Sequence, residues 1–97
     1  MGLAAGHFQA GRYNDAAEQA AAALALDPSR TQAHLIRAES LVKLKSPEAV
    51  AASEAAVKAM PDNAMAQASL GEALVAAGRG ADAEAPLKRA LELNPKL

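Results

Sequence analysis

At 97 residues the chain is the size of one small domain, and a chain of that length buries only roughly 60–65% of its unfolded surface. Its 52% hydrophobic fraction rests on 28 alanines, with one Phe, one Tyr and no Trp, which excludes a deep aromatic core and leaves out the β-branched runs that strands prefer. Ten basic and eleven acidic residues are interspersed for a net charge of −1, so there is no basic stripe of the kind that displaces counterions from nucleic acid.

The chain opens with Met1-Gly2-Leu3-Ala4-Ala5-Gly6, which has neither the basic nor the sustained apolar region of a signal peptide. Gly6 also stands where a myristoylation signal requires Ser or Thr. The pattern then predicts a helix over 2–10 and a turn at Gly11, a residue suited to the left-handed position that ends a helix. A second helix over 13–26 closes at Asp27-Pro28, because proline biases its predecessor away from helical geometry. The third, over 30–44, carries Arg37 and Lys43, with Lys45 just beyond it. These three cations come nearest to a basic cluster, and one solvated face explains them.

Ser46-Pro47-Glu48 reads as an N-cap, a proline at the first helical position and an acid in the first turn. It opens a fourth helix over 47–59, which stops at Met60-Pro61. A fifth spans 63–77 and ends at Gly78. Gly78-Arg79-Gly80 lacks the spacing and the Lys-Ser/Thr of a phosphate loop. The sixth, over 80–93, ends at Asn94-Pro95 and contains Pro86, which removes one helical hydrogen bond and predicts a kink. No apolar run approaches the ~18 residues of a membrane span. The absence of cysteine removes disulfides, thiolate metal sites and Cys nucleophiles. With the Ala-rich composition, these features lead to the expectation of a soluble protein of a bacterial cytoplasm.

Self-comparison organises these helices into pairs. Pro28, Pro61 and Pro95 are spaced by 33 and 34 residues. At fixed distances upstream lie Ala23, Ala56 and Ala90, then Ala16, Ala49 and Ala83; further back sit His7, Leu41 and Leu74, then Ala4, Ala38 and Gly71. Leu3-Ala4-x-x-His7-Phe8-x-Ala10-Gly11-Arg12-x-x-Asp15-Ala16 lies over Leu70-Gly71-x-x-Leu74-Val75-x-Ala77-Gly78-Arg79-x-x-Asp82-Ala83 at a constant offset of 67. His7 to Ala16 and Leu74 to Ala83 are nine apart but Leu41 to Ala49 is eight, so unit two is one residue short in its turn. The division is one repeat domain over 1–97, with units 1–28 (lacking its first turn), 29–61 and 62–97.

The pattern L-G-x-x-L…G-x-x-x-x-A…A-L-x-L-x-P, clearest over Leu70–Pro95, resembles the tetratricopeptide repeat and covers essentially the whole chain. The resemblance implies an all-α fold, an α-solenoid of about three helix–turn–helix repeats forming a fragment of a right-handed superhelix. The family's large aromatic near the start of the first helix is His34 and Gln67 here, and its tyrosine is His7, Leu41 and Leu74. A usual leucine is Arg37, with Ile36 expected to take over its packing. Ala16, Ala49 and Ala83 are expected where the second helix crosses the first, and Ala23, Ala56 and Ala90 where it meets the next repeat. Small side chains there allow an approach near the short end of the ~8–10 Å range.

The last helix is followed by no polar capping helix, which solenoid ends normally need. The expectation is a fragment of a longer array, or a chain whose ends a second copy covers, with Leu87, Leu91 and Leu93 as a candidate apolar edge. Homo-oligomerisation through uncapped ends is therefore the alternative to a binding module.

Nothing in the sequence forms a catalytic constellation. His7 and His34, the two histidines, have no partner ligand at helical spacing and occupy packing positions, and a closed zinc site needs four ligands. Glu39 and Glu72 are 33 apart, so the repeat explains their pairing, and nothing supplies a nucleophile or oxyanion donors. No enzyme activity, metal or cofactor is expected.

The resemblance implies that first helices line a concave groove for extended or helical peptides. The register places Met1, Ala5, Phe8 and Gln9 there from unit one, Gln32, Leu35, Glu39, Val42 and Lys43 from unit two, and Met65, Ala68, Glu72, Val75 and Ala76 from unit three. Leu35, Glu39 and Val42 share a helix face, as do Ala68, Glu72 and Val75. Where one subset of the family carries a Lys/Asn/Arg clamp for acidic chaperone tails, this chain has Met1, Ala5, Ile36, Met65 and Ser69, so such tails are not expected to bind. The expected partner is a protein or peptide with apolar anchors and a neutral or basic flank, such as an amphipathic segment. Nucleic acid and membrane are not expected partners.

Overall fold

Proline-containing turns set most of the boundaries in the computed structural model, which describes residues 2–96 and side chains from residue 12 onward. Its helices are α1 (Gly2–Leu26), α2 (Thr31–Lys43), α3 (Ala49–Ala59), α4 (Ala64–Ala76) and α5 (Gly80–Leu93). No strand occurs among the described residues, so the fold is an all-α helical repeat. Asn63 caps α4, its Oδ1 accepting the Ala66 amide at 3.0 Å, an interaction of about 1 kcal/mol. Where α2 lacks a side-chain cap, Asp27 orders the preceding turn by accepting the Ser29 amide and hydroxyl at 3.1 and 2.6 Å.

A polar tether repeats at the family's aromatic position. His34 Nε2 donates to the Pro28 carbonyl and Gln67 Nε2 to the Pro61 carbonyl, each at 2.9 Å. A carbonyl can only accept, so His34 holds its proton on Nε2. Both bonds tie the first turn of a first helix to the proline turn before it. The two residues pack where the repeat pattern places them.

Two expectations about turns are corrected. Helix α1 runs unbroken across the expected turn at Gly11, so the chain shows five described helices and not six. The neighbouring residues explain it. Gly78 is followed by Arg79-Gly80, and Lys45 by Ser46-Pro47, whereas Gly11 is followed by Arg12-Tyr13 with no second breaker. One glycine inside an Ala-rich helix costs about 1 kcal/mol, less than the hydrogen bonds a turn gives up. Helix α3 starts at Ala49, two residues later than expected. Ser46 Oγ still accepts the Glu48 amide at 3.2 Å, as an N-cap does.

Units two and three close their turns alike despite their different sequences. Lys45 and Gly78 take the left-handed conformation, at φ 56° and 78°. The Ser46 amide reaches the Leu41 carbonyl at 2.9 Å and the Arg79 amide the Leu74 carbonyl at 2.8 Å, the six-to-one bond of a Schellman ending. Lys45 to Ala49 is four residues and Gly78 to Ala83 five, so the residue missing from unit two falls after this motif.

The core is built from small side chains between closely packed helices. Ala38, Ala56 and Ala66 are fully buried, and Leu35, Leu41, Ala49, Ala52 and Ala73 complete the cluster. Helix α2 packs on α1, α3 and α4, and α4 on α3 and α5; among the described residues α1 packs on α2 alone. Gly71 lies so close to Leu87 that an added Cβ would collide with that side chain. At the position of Leu87, unit two has Ser53, wholly buried with its Oγ unpartnered among the described residues.

Ile36 does not take over the packing of the missing leucine: it is 44% exposed, while Arg37 reaches Glu48 across the α2–α3 turn at 3.1 Å. Pro86 is buried, and α5 continues through it as one helix. Leu91 is 51% exposed, with Leu87 and Leu93 half-buried beside it.

Ala83 is 1% exposed, at the crossing of α4 and α5. Ala83→Phe is expected to force them apart at about 1–3 kcal/mol, lowering the melting temperature by several degrees. Circular dichroism melts check this; an unchanged curve contradicts the assigned register.

Candidate binding groove

Helices α2 and α4, the first helices of units two and three, lie side by side, so equivalent residues of the two units repeat across one surface. Glu39 on α2 is half-buried, and burial pushes its carboxyl above the ordinary 4.5. Lys43, one turn on, draws it down, and Glu72 on α4 pushes it further up. The expected Lys43 and Glu72 are thus both within electrostatic reach of Glu39. A carboxylate held half-buried beside another acid costs stability without packing gain, a pattern that accompanies binding sites.

The other expected residues divide among three environments. Met65 and Val75 on α4 are 43% and 56% exposed, apolar and open to solvent. Glu72, Val75 and Ala76 line a cleft of about 660 Å³ closed on its far side by Lys45 and Pro47 of the α2–α3 turn and Val50 of α3. Gln32 lines a different cleft between α1 and α2. Lys43 is exposed and Ala68 half-buried. Val42 packs against the core, and Leu35 is inside it at 8% exposure. In this chain Leu35 is therefore a packing residue that offers little surface to a ligand. The side chains of Met1, Ala5, Phe8 and Gln9 lie outside the described residues.

Sequence reasoning assigned Ile36 to packing, yet it stands exposed over the α1–α2 cleft. Register gave no signal for this, because Ser69, 33 residues after Ile36 and equivalent to it, is buried. Lys45 was read as part of a solvated face, and it also borders the cleft at Glu72.

Among the described residues no group of three or more His, Asp or Glu stands where it could hold a metal ion, and no helix is long and apolar enough to cross a membrane. The surface offers apolar contacts bordered by carboxylates, which suits the packing of a partner segment.

A family profile described as tetratricopeptide repeat matches residues 2–49 and 43–97. No curated protein matches the chain.

The sign of the Glu39 shift sets its pH dependence. A carboxyl whose folded-state pKa is raised favours folding at low pH, and that contribution is lost as pH rises through the raised value. Glu39→Gln is therefore expected to melt above the parent at pH 7, with the gap closing below about pH 4, where Glu39 is protonated. Thermal melts at the two pH values check this; a gap independent of pH contradicts it.

Proposed function

The chain belongs to the tetratricopeptide repeat family, and from that premise we propose that it binds a peptide or helical segment of a partner protein on the surface formed by its first helices. Repeats of this family generally mediate protein–protein interaction and typically serve as non-enzymatic scaffolds. The observation that carries the finer reading is the juxtaposition on α2 and α4 of exposed Met65 and Val75 with Glu39 and Glu72. Apolar side chains anchor a segment by burial, at about 25 cal/mol per Å² removed from water. The two carboxylates then select its flanks, favouring Lys or Arg and repelling acidic residues. A partner with apolar anchors and a neutral or basic flank fits; an acidic tail does not, because the positions of the family's clamp hold Ile36, Met65 and Ser69, with no cation among them. The second reading, homo-association through the ends of the stack, draws on exposed Leu91 on α5.

Two fluorescent amphipathic peptides with identical apolar anchors, one flanked by Lys and one by Glu, test this by anisotropy at low salt. The Lys-flanked peptide is expected to bind on the order of tenfold tighter, with the preference shrinking as salt screens it. Glu39→Lys with Glu72→Lys should reverse the order. Equal binding of both peptides, or a preference the double variant leaves untouched, contradicts the reading.

A further inference from the structure

We propose that the cleft between α1 and α2 is the seat of a helix, and that the helix filling it is residues 2–10 of a second copy of this chain, exchanged reciprocally. The seat is identified by comparing the units. Ala49, Ala52, Ser53 and Ala56 of α3 are all buried. Their counterparts in α5 are Ala83, Pro86, Leu87 and Ala90, buried except for half-buried Leu87. In both units the hairpin's own first helix, α2 or α4, packs against the second. The unit-one counterparts are Ala16, Gln19, Ala20 and Ala23. Here they line an open cleft of about 650 Å³, with Ala33 and Ile36 of α2 on its other wall. Gln19 is exposed, Ala16 and Ala23 are half-exposed and Ile36 is 44% exposed, while Ala20 and Ala33 at the bottom of the cleft are buried. A face closed twice by a first helix is only part-covered the third time.

The occupant follows from sequence and geometry together. Residues 2–10 match the segment of α4 at the fixed offset of 67. The equivalent positions change in compensating directions: Gly71 and Leu87 of unit three correspond to Ala4 and Ala20 of unit one, the first member larger where the second is smaller. The segment holds no Asp, Glu, Lys or Arg, and it would meet the methyl groups of four alanines and the Ile36 side chain, with Arg30, Thr31 and Gln32 beside them. Yet α1 is one helix from Gly2 to Leu26. Along it, residue 4 lies about 24 Å from Ala20 at 1.5 Å per residue, too far to occupy its own cleft. The segment that reaches the cleft is that of a second copy. A two-fold exchange fills both clefts and keeps both α1 helices unbroken, the low-cost route to a dimer. Resting on the groove reading above, the exchange also brings the partner's first-helix segment beside α2, so that the groove is complete only in the dimer.

The chain has no cysteine, so disulfide trapping reads the exchange directly. Ala4→Cys and Ala20→Cys are made singly and together, refolded and oxidised, and helicity is checked by circular dichroism. A mixture of A4C and A20C chains is expected to give mainly the mixed disulfide dimer, and the double variant a doubly linked dimer. Light scattering on the parent chain, which needs no variant to fold, should give twice the 9.9 kDa of one chain. A double variant bridged within one chain would show the hairpin closed on itself and overturn the proposal. So would a monomeric parent mass, or the absence of a mixed disulfide. None of these readouts involves a ligand, so they stand or fall apart from the peptide-binding reading.

Discussion

The stack depends on how closely the two helices of a unit approach where the first crosses the second. The helices are short and the side chains small, so no single residue buries much surface. Ala38, Ala49, Ala56, Ala83 and Ala90 are nearly or wholly inaccessible because the backbones around them are close, and dispersion summed over many atom pairs replaces the deep aromatic core the composition denies. Gly71 against Leu87 is the extreme case, a position where a methyl group has no room unless the Leu87 side chain moves aside. Such a contact is intolerant of volume, and so it dictates which segments fit against which.

That constraint links the packing to the candidate function. With α2 and α4 held side by side by buried alanines, the residues they turn outward repeat at a fixed spacing. Leu35 is drawn inward to complete the core, while Met65 and Val75 remain exposed on α4. Glu39 is caught between these fates, half-buried beside Lys43 and Glu72. In unit one the second-helix face keeps its small residues but has no first helix folded onto it, and the result is an open cleft. The same rule of close approach thus gives a surface on one pair of first helices and an unfilled seat beside another.

Much of this architecture was legible in the sequence because proline and small-residue spacing is a direct record of it. The three proline turns and the buried positions of Ala49, Ala56, Ala83 and Ala90 follow from the 33- and 34-residue period. What was not legible depends on neighbours. Gly11 signals a turn by itself, but Tyr13 in place of the second glycine at Gly80 leaves the helix free to continue. Lys45 adopts the left-handed conformation of a glycine because the unit-two turn needs that residue there, and no propensity scale places a lysine so. Helical spacing put Leu35 and Ile36 near one face, yet a turn of about 100° per residue decides which is core, and α1 and α3 set that rotation. The tether from His34 and Gln67 to the proline carbonyls was hidden behind a substituted aromatic position.

A double-mutant cycle on Gly71→Ala and Leu87→Ala measures the close approach most directly. If the contact is as tight as the structure has it, Gly71→Ala alone destabilises through the collision with Leu87. In the Leu87→Ala background the same change is neutral or stabilising, because the added methyl group then has room and alanine is the better helix former by about 1 kcal/mol. The account predicts a coupling free energy of at least about 1 kcal/mol from denaturant melts of the four proteins. Additivity within about 0.5 kcal/mol, the behaviour of sites that do not touch, would contradict it.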